Sequence, residues 1–370
     1  MKIGIMTLSW GRDNYGQFLQ HYALQETLRK MGHEPFLIDY VPEKARFSLF
    51  NKIKKCVLHP LKTSSFILDI IIKKCFFKQQ RQQRSNSFEQ FRKKHFDISD
   101  RHYSNIKELQ ALPPAADVYI TGSDQVWNPF GNAARTAPFF LDFGSSNVKK
   151  VSYAASWGRS ELPADEKNII EPLLKNFSAV TVREKSGIEL CRQCGFTNAE
   201  LVPDPTFLLD ADSYRKIMKC PERLDKNEKY ILLYRLKHSD GFDYSKVFAF
   251  AKNRGLKVKY ITGNLLIDFR KQIFPSIEEW LYLIDHAEYI VTNSFHGTVF
   301  SILFRKQFAT IPLAGKKAGM NQRLDTVFEQ LGMEPRYLND FSVLDAAYTA
   351  HTCNMQKESV QILEKILSAK

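Results

Sequence analysis

Cysteine is scarce and irregularly placed. Six cysteines in 370 residues form no framework, which excludes a disulfide-stapled secreted scaffold and suits a reducing, cytoplasmic setting with free thiols. Cys191 and Cys194 have the spacing of half a zinc site or of a redox motif. No second Cys or His pair follows at ligand spacing, so no metal is expected. Long apolar runs are missing too. The best candidate, Phe66 to Ile72, is broken by Asp69 and falls far short of the roughly 20 residues a spanning helix needs. The apolar start Ile3 to Leu8 is too short for a secretory signal and runs into Trp10-Gly11-Arg12-Asp13. The first loop lacks G-x-G-x-x-G, so no nicotinamide or flavin cofactor is expected. Internal repeats and low-complexity runs are absent as well.

What is present is a chain with 44% apolar residues, able to bury a sizeable core and long enough for two domains. Its net charge of +13 is concentrated: Lys44 to Lys94 holds 14 Lys or Arg against Asp69 and Glu89, a local +12. This stretch has no zinc-finger, RNP or homeodomain pattern, and its aromatics sit among aliphatic neighbours, so no nucleic-acid partner is expected. Two readings stand for an insertion at about 44–95. Either its apolar residues enter the core while its charges face water, or it meets an anionic membrane surface at the inner face, where each Lys or Arg contributes about 1 kcal/mol.

The organisation reads as two successive α/β series. Lys2 to Leu8 predicts a strand, Phe18 to Met31 a helix stopped by Gly32, and Phe36 to Tyr40 a second strand. Further strands are predicted over Asp117–Thr121, Val148–Ala154 and Ala179–Val182, each ending in polar or small residues. The second series runs through Tyr230–Tyr234, Val258–Thr262, Tyr289–Thr292 and Phe308–Pro312, and a helix over Gln356–Leu367 closes the chain on the body. This places an N-terminal α/β domain at 1–212 and a C-terminal one at 213–370, two Rossmann-like units facing across a cleft.

The richest local signal is Ser294-Phe295-His296-Gly297, a polar break between the buried strand Tyr289–Val291 and the apolar run Val299–Phe304. It marks a strand's carboxyl end and a helix start, where a crevice opens and amides face an anion. Ser294, Gly297 and Thr298 would offer donors to a phosphate there, or simply cap the helix. Arg183 follows a strand and carries a fork that matches carboxylate or phosphate, unless it pairs with Glu184 or Glu189 at the surface. Arg235 and Arg323 are further candidates for the same anion.

These segments belong to an ordered set that resembles the polysaccharide pyruvyltransferase family. The set comprises Asp13-Asn14-Tyr15-Gly16-Gln17 with Leu19 to Leu24, Thr121 to Asn128, Val151 to Gly158, Val182 to Ser186, Val202 to Thr206 and Asn293 to Gly297. One departure is Gln17, where many members carry an acidic residue. The resemblance implies a GT-B-like fold, in agreement with the two α/β halves. It also implies transfer of a pyruvyl group from phosphoenolpyruvate to two hydroxyls of a sugar in a surface-polysaccharide precursor, such as a lipid-linked oligosaccharide, with a cyclic ketal and phosphate as products. That reaction needs an acid or base near neutrality, and histidine, with an unperturbed pKa of about 6.5, suits His296 to the task. Asp124 is the alternative base for an attacking hydroxyl. Asn14, Gln17 and Asn128 would read sugar hydroxyls, and Trp127 would stack on a sugar face or plug the core. Two other functions remain open at this point: a nucleotide-sugar glycosyltransferase of similar fold, and a non-catalytic sugar- or anion-binding protein.

Overall fold

A computed structural model describes residues 1–9, 14–42, 78–128, 133–222, 224–225, 227–236, 241–263, 270–315, 319 and 321–368. The first half is built on a parallel sheet of β1 (Lys2–Met6), β2 (Glu34–Tyr40), β3 (Ile98–Tyr103), β4 (Val118–Gly122) and β5 (Lys149–Tyr153), in the order β3-β2-β1-β4-β5. A parallel pair, β6 (Thr181–Val182) and β7 (Glu200–Leu201), continues past β5 through the bridges Val151–Ala179 and Ala155–Val182. The second half carries β8 (Tyr230–Arg235), β9 (Lys257–Thr262), β10 (Tyr289–Thr292) and β11 (Gln307–Thr310), all parallel, in the order β11-β10-β8-β9. Strand order reverses direction beside β1 in one sheet and beside β8 in the other. Parallel α/β sheets open a ligand crevice at such switch points, outside the strands' carboxyl ends.

Two helices buried on nearly every side join the halves. α1 (Tyr15–Lys30) starts at the cap Asn14 and is buried continuously from Tyr15 to Gln25. α5 (Phe295–Leu303) is buried except at His296. Among the helices between them are α2 (Lys78–His95), α3 (Lys185–Gln193) and α4 (Ile277–Asp285), the last with a reciprocal Ser276–Glu279 capping box. Around α1 and α5 lies an aromatic cluster drawn from both halves. Tyr15 stacks on Trp280 at 5.0 Å, meets Tyr234 at 5.9 Å and donates its hydroxyl to Pro275 O at 2.7 Å. Tyr214 meets Phe300 at 4.8 Å.

α6 (Gln322–Gln330) and α7 (Thr352–Ser368) complete the chain. Although α7 follows the second sheet, it returns to the first half: Lys149 Nζ donates to Leu367 O, Gln356 Nε2 to Leu208 O, and Lys365 pairs with Glu200.

At its carboxyl end the basic stretch follows the first of its two readings, apolar residues in the core and most charges toward water, with Arg84 the exception. Residues 78–95 form α2, whose Phe88 and Phe91 are buried and whose Arg84, also buried, reaches Thr262 O at 3.4 Å in the second half and sits 5.3 Å from the Phe274 ring. That part of the insertion is a strut between halves. Residues 43–77, with Phe66–Ile72 and seven of the ten lysines of the stretch, lie outside the described residues, and with them most of the membrane reading. No described helix is long and apolar enough to cross a membrane.

Candidate functional site

Two strand ends of the first half break sharply. After β4, Asp124 takes φ +74°, and after β5, Ala154 takes φ +52°, left-handed conformations that non-glycine residues rarely adopt. Hydrogen bonds hold this geometry: Asp124 O accepts from Val126 N at 2.8 Å and from Ser156 N at 3.0 Å, and Asp124 Oδ1 accepts from Gln125 N at 2.9 Å. Thr7, past β1, donates its hydroxyl to Ser123 O at 3.0 Å and lies 3.4 Å from His21 Nε2. Burial pushes the His21 pKa down to about 4 against the opposing charge of Asp124, so this second histidine is neutral near pH 7.

Past β6 the chain places two charged residues in the interior. Arg183, 1% exposed, donates from Nη1 to Asp204 Oδ2 at 2.6 Å and to Ser123 Oγ at 3.2 Å, while its Nε and Nη2 are buried without a partner. Burial is the largest single influence and disfavours the charged guanidinium, but Asp204, Glu184 and Asp124 together outweigh it and raise its pKa above the ordinary arginine value. Glu184 braces the β5 turn: Oε1 accepts from Ser156 Oγ, Trp157 N and Gly158 N at 3.0, 2.7 and 3.1 Å, and Oε2 is buried without a partner. Buried polar atoms left unpaired cost about 1–3 kcal/mol each, so such a concentration marks a place prepared for something else.

From the second half, Ser294 caps α5 by accepting from Gly297 N at 3.3 Å, which sets Phe295 and His296 in the helix's first turn. Phe295 is approached by two guanidinium groups, Arg183 at 4.9 Å and Arg323 at 5.5 Å from its ring centroid. Arg323, at the start of α6, retains some exposed surface, yet protein surrounds its head on nearly all sides. Burial and then the neighbouring Arg183 push its pKa down to about 10, and the carboxylates of Glu184, Asp124 and Asp204 only partly offset them. His296 Nε2 is buried 3.5 Å from Asp204 Oδ2, within ion-pair distance but without a hydrogen bond. On the other side the imidazole lies against Gly16 of α1, where an added Cβ would fall 1.9 Å from Nδ1.

Of the residues expected from sequence, Asp124, Arg183, Arg323 and His296 therefore share one electrostatic neighbourhood. Others are structural. Trp127 is fully buried, stacked on Phe140 at 5.0 Å with Nε1 donating to Phe139 O, so it has no open face for a sugar; the core plug wins because Phe139 and Phe140 return to cover it. Thr298 is buried and spends its hydroxyl on Ser294 O and Thr310 Oγ1, and Ser294 Oγ and Gly297 N satisfy each other. Gln17 is buried and donates to Leu8 O, tying α1 to the end of the first strand. Asn14 caps α1 and Asn128 closes a turn onto Gln125 O; both keep partial exposure. Arg235, at the end of β8, packs 4.2 Å from the Tyr244 ring. Arg183 makes no surface ion pair with Glu184 or Glu189; its partner is Asp204. Asp204, Glu184, Ser123, His21, Phe295 and Gly16 received no role from sequence, although all lie within or beside the motifs quoted above. Cys191 and Cys194 are buried free thiols, and no group of three or more His, Cys, Asp or Glu among the described residues is arranged to hold a metal.

The family model for polysaccharide pyruvyl transferase matches residues 14–313, which contain every site residue named above except Arg323. The chain belongs to the polysaccharide pyruvyl transferase family. No curated protein sequence matches this family member. Among solved structures it is similar to UDP-GlcNAc 2-epimerase of Methanocaldococcus jannaschii, at 13% identity over 100% of both chains with a TM-score of 0.51. It is also similar to the Neisseria meningitidis UDP-GlcNAc 2-epimerase, at 9% identity over 99% of this chain and 100% of that one with a TM-score of 0.50. At such identities the likeness speaks to the fold alone, which is α/β and GT-B-like.

Proposed function

We propose that this transferase moves a pyruvyl group from phosphoenolpyruvate to two hydroxyls of a sugar in a surface-polysaccharide precursor, forming a cyclic ketal and releasing phosphate. The observation that carries the reading is the pair Arg183 and Arg323, both against the Phe295 ring beside His296, with two buried Arg183 nitrogens left without partners. An anion between these guanidinium groups gives those nitrogens acceptors, and a donor that carries a carboxylate and a phosphate supplies one group for each. In the reaction, a proton added to the methylene carbon of the enol develops cationic character at C2, where a sugar hydroxyl attacks. Phosphate leaves, and the second hydroxyl closes the ring. His296 handles the proton, and Asp124, on its constrained turn, faces the acceptor as base, with Asn14 and Asn128 as acceptor contacts. No resident cofactor enters this scheme.

The test is to incubate the protein with phosphoenolpyruvate and a lipid-linked oligosaccharide, following phosphate release together with the mass of the glycan. One phosphate per pyruvate-sized mass gain supports the reading. Release of a nucleoside diphosphate from a nucleotide sugar instead replaces it with glycosyl transfer, and tight donor binding without any product leaves a binding protein.

A further inference from the structure

Asp204 does more than its position after β7 requires. It caps the turn Pro205–Leu208, and Oδ1 alone serves that purpose, accepting from Thr206 N at 3.0 Å and Thr206 Oγ1 at 2.8 Å. Oδ2 is surplus to the cap. It meets groups from three other places in the fold: Arg183 Nη1 at 2.6 Å, Ser123 Oγ at 3.2 Å and, from the other half of the molecule, His296 Nε2 at 3.5 Å. The residue has no exposed surface, so these contacts exclude water. Burial alone pushes a carboxyl's pKa up, yet His296 and Arg183 outweigh it and hold Asp204 well below the usual carboxylate range. The imidazole is thus trapped between a permanent anion on its Nε2 edge and the bare Cα of Gly16 beside Nδ1. The other titratable groups acting on this cluster include Arg323 across Phe295, and Glu184, Asp124 and His21 from the first half.

We propose that Asp204 is a positioning residue that keeps a proton on His296 Nε2, so that Nδ1 is the atom that exchanges protons at the site, while the same oxygen pins one corner of Arg183. At 3.5 Å the contact is an ion-pair distance rather than a hydrogen bond, so Asp204 acts on the ring through its charge, which favours a proton on the nitrogen facing it. One carboxylate thereby sets the spacing between a cation from the first half and the proton carrier of the second. In the proposed pyruvyl transfer, on which this part rests, the doubly protonated ring gives its Nδ1 proton to the methylene carbon and recovers one from the first attacking hydroxyl, so it ends in its starting state, while Asp124 takes the proton of the second hydroxyl, and that proton leaves with the phosphate. Arg183 keeps Nε and Nη2 for the donor.

The test reads the tautomer directly. Full-length protein labelled with ¹⁵N in the histidine rings is measured at alkaline pH by long-range ¹H–¹⁵N correlation, the His296 signals being assigned by their loss in His296→Gln. Wild type is expected to carry the proton on Nε2. Asp204→Asn, which retains a capping oxygen but turns an amide donor toward the ring, is expected to move it to Nδ1 and to lower turnover by about 10²-fold. Because removing the charge beside Arg183 risks the fold, Gly16→Ala serves as a second variant. It displaces the ring without altering Asp204 or its contacts with Arg183, Ser123 and Thr206, and is expected to abolish the Nε2 preference and cut turnover at least about tenfold, with donor affinity changed by less than about twofold. A wild-type ring protonated on Nδ1, or an unchanged tautomer in the folded Asp204→Asn or Gly16→Ala protein, overturns the proposal. No substrate is needed for the tautomer measurement, so its outcome is independent of whether phosphoenolpyruvate is the donor.

Discussion

Substitutions at Arg183 separate two roles that its side chain performs together. Arg183→Lys retains a cation beside Asp204 but loses the planar fork, and the dissociation constant for phosphoenolpyruvate is expected to rise about tenfold or more while the acceptor constant stays put. Equal donor affinity by calorimetry would remove Arg183 as the donor clamp. Arg183→Ala acts on the fold instead, because it leaves the Asp204 carboxylate buried without its ion-pair partner, and urea unfolding is expected to show a loss of about 3–5 kcal/mol. His21 gives a second prediction, for pH. Its folded-state pKa is lowered from 6.5 to about 4 by burial, so as pH falls below 6.5 the unfolded chain takes up a proton that the folded one refuses. Stability therefore rises with pH across that window and levels off above it, a change on the order of 3 kcal/mol for this one fully buried group. His21→Gln is expected to flatten that part of the profile, and an unchanged slope would place the acid sensitivity elsewhere.

Among the elements, the segment after β4 makes the sharpest stability prediction. Trp127→Ala empties a site walled by Phe140, Trp157 and Phe177, so unfolding free energy is expected to fall by about 3–5 kcal/mol with no direct effect on donor binding. A weaker acceptor interaction in a protein of undiminished stability would restore the stacking role. Sequence could not decide this, since an aromatic after a strand looks the same as plug and as platform. Strands such as β1, β4, β8 and β10 are legible because parallel-sheet strands are short apolar runs that stop at small polar residues. β3, Ile98-Ser-Asp-Arg-His-Tyr103, is not, for it forms the sheet edge with most of its side chains outside the core. α2 hides for a related reason: Arg84, Phe88 and Phe91 are its buried positions in a run of glutamines and cations. The site divides in the same way. His296, Arg183, Arg323 and Asp124 are visible because strand ends and helix starts announce where a crevice lies. Asp204 is invisible locally, as Ser123 is 81 residues away, Arg183 is 21 away and His296 comes from the other sheet.

For the whole molecule, the shared core decides how the halves behave. One apolar cluster of residues from both halves runs through Leu19, Phe88, Tyr214, Trp280, Phe300 and Leu363. A large apolar junction resists the independent motion that small, wet domain interfaces permit. Calorimetry is accordingly expected to show one unfolding transition, and Tyr15→Ala, which removes the stack on Trp280 and the bond to Pro275 O, to shift all of it by about 3 kcal/mol or more. Two resolved transitions, with Tyr15→Ala moving just one, would show that the halves melt separately. The return of α7 to the first sheet also imposes an order on biosynthesis. Because α7 follows both sheets in the chain, a ribosome making about 5–20 residues per second exposes Leu208 and Lys149 long before Gln356 and Leu367 exist to meet them. During that interval the nascent first half presents an unfinished apolar seam, the kind of surface chaperones bind. Emergence of α7, rather than completion of either sheet, closes it.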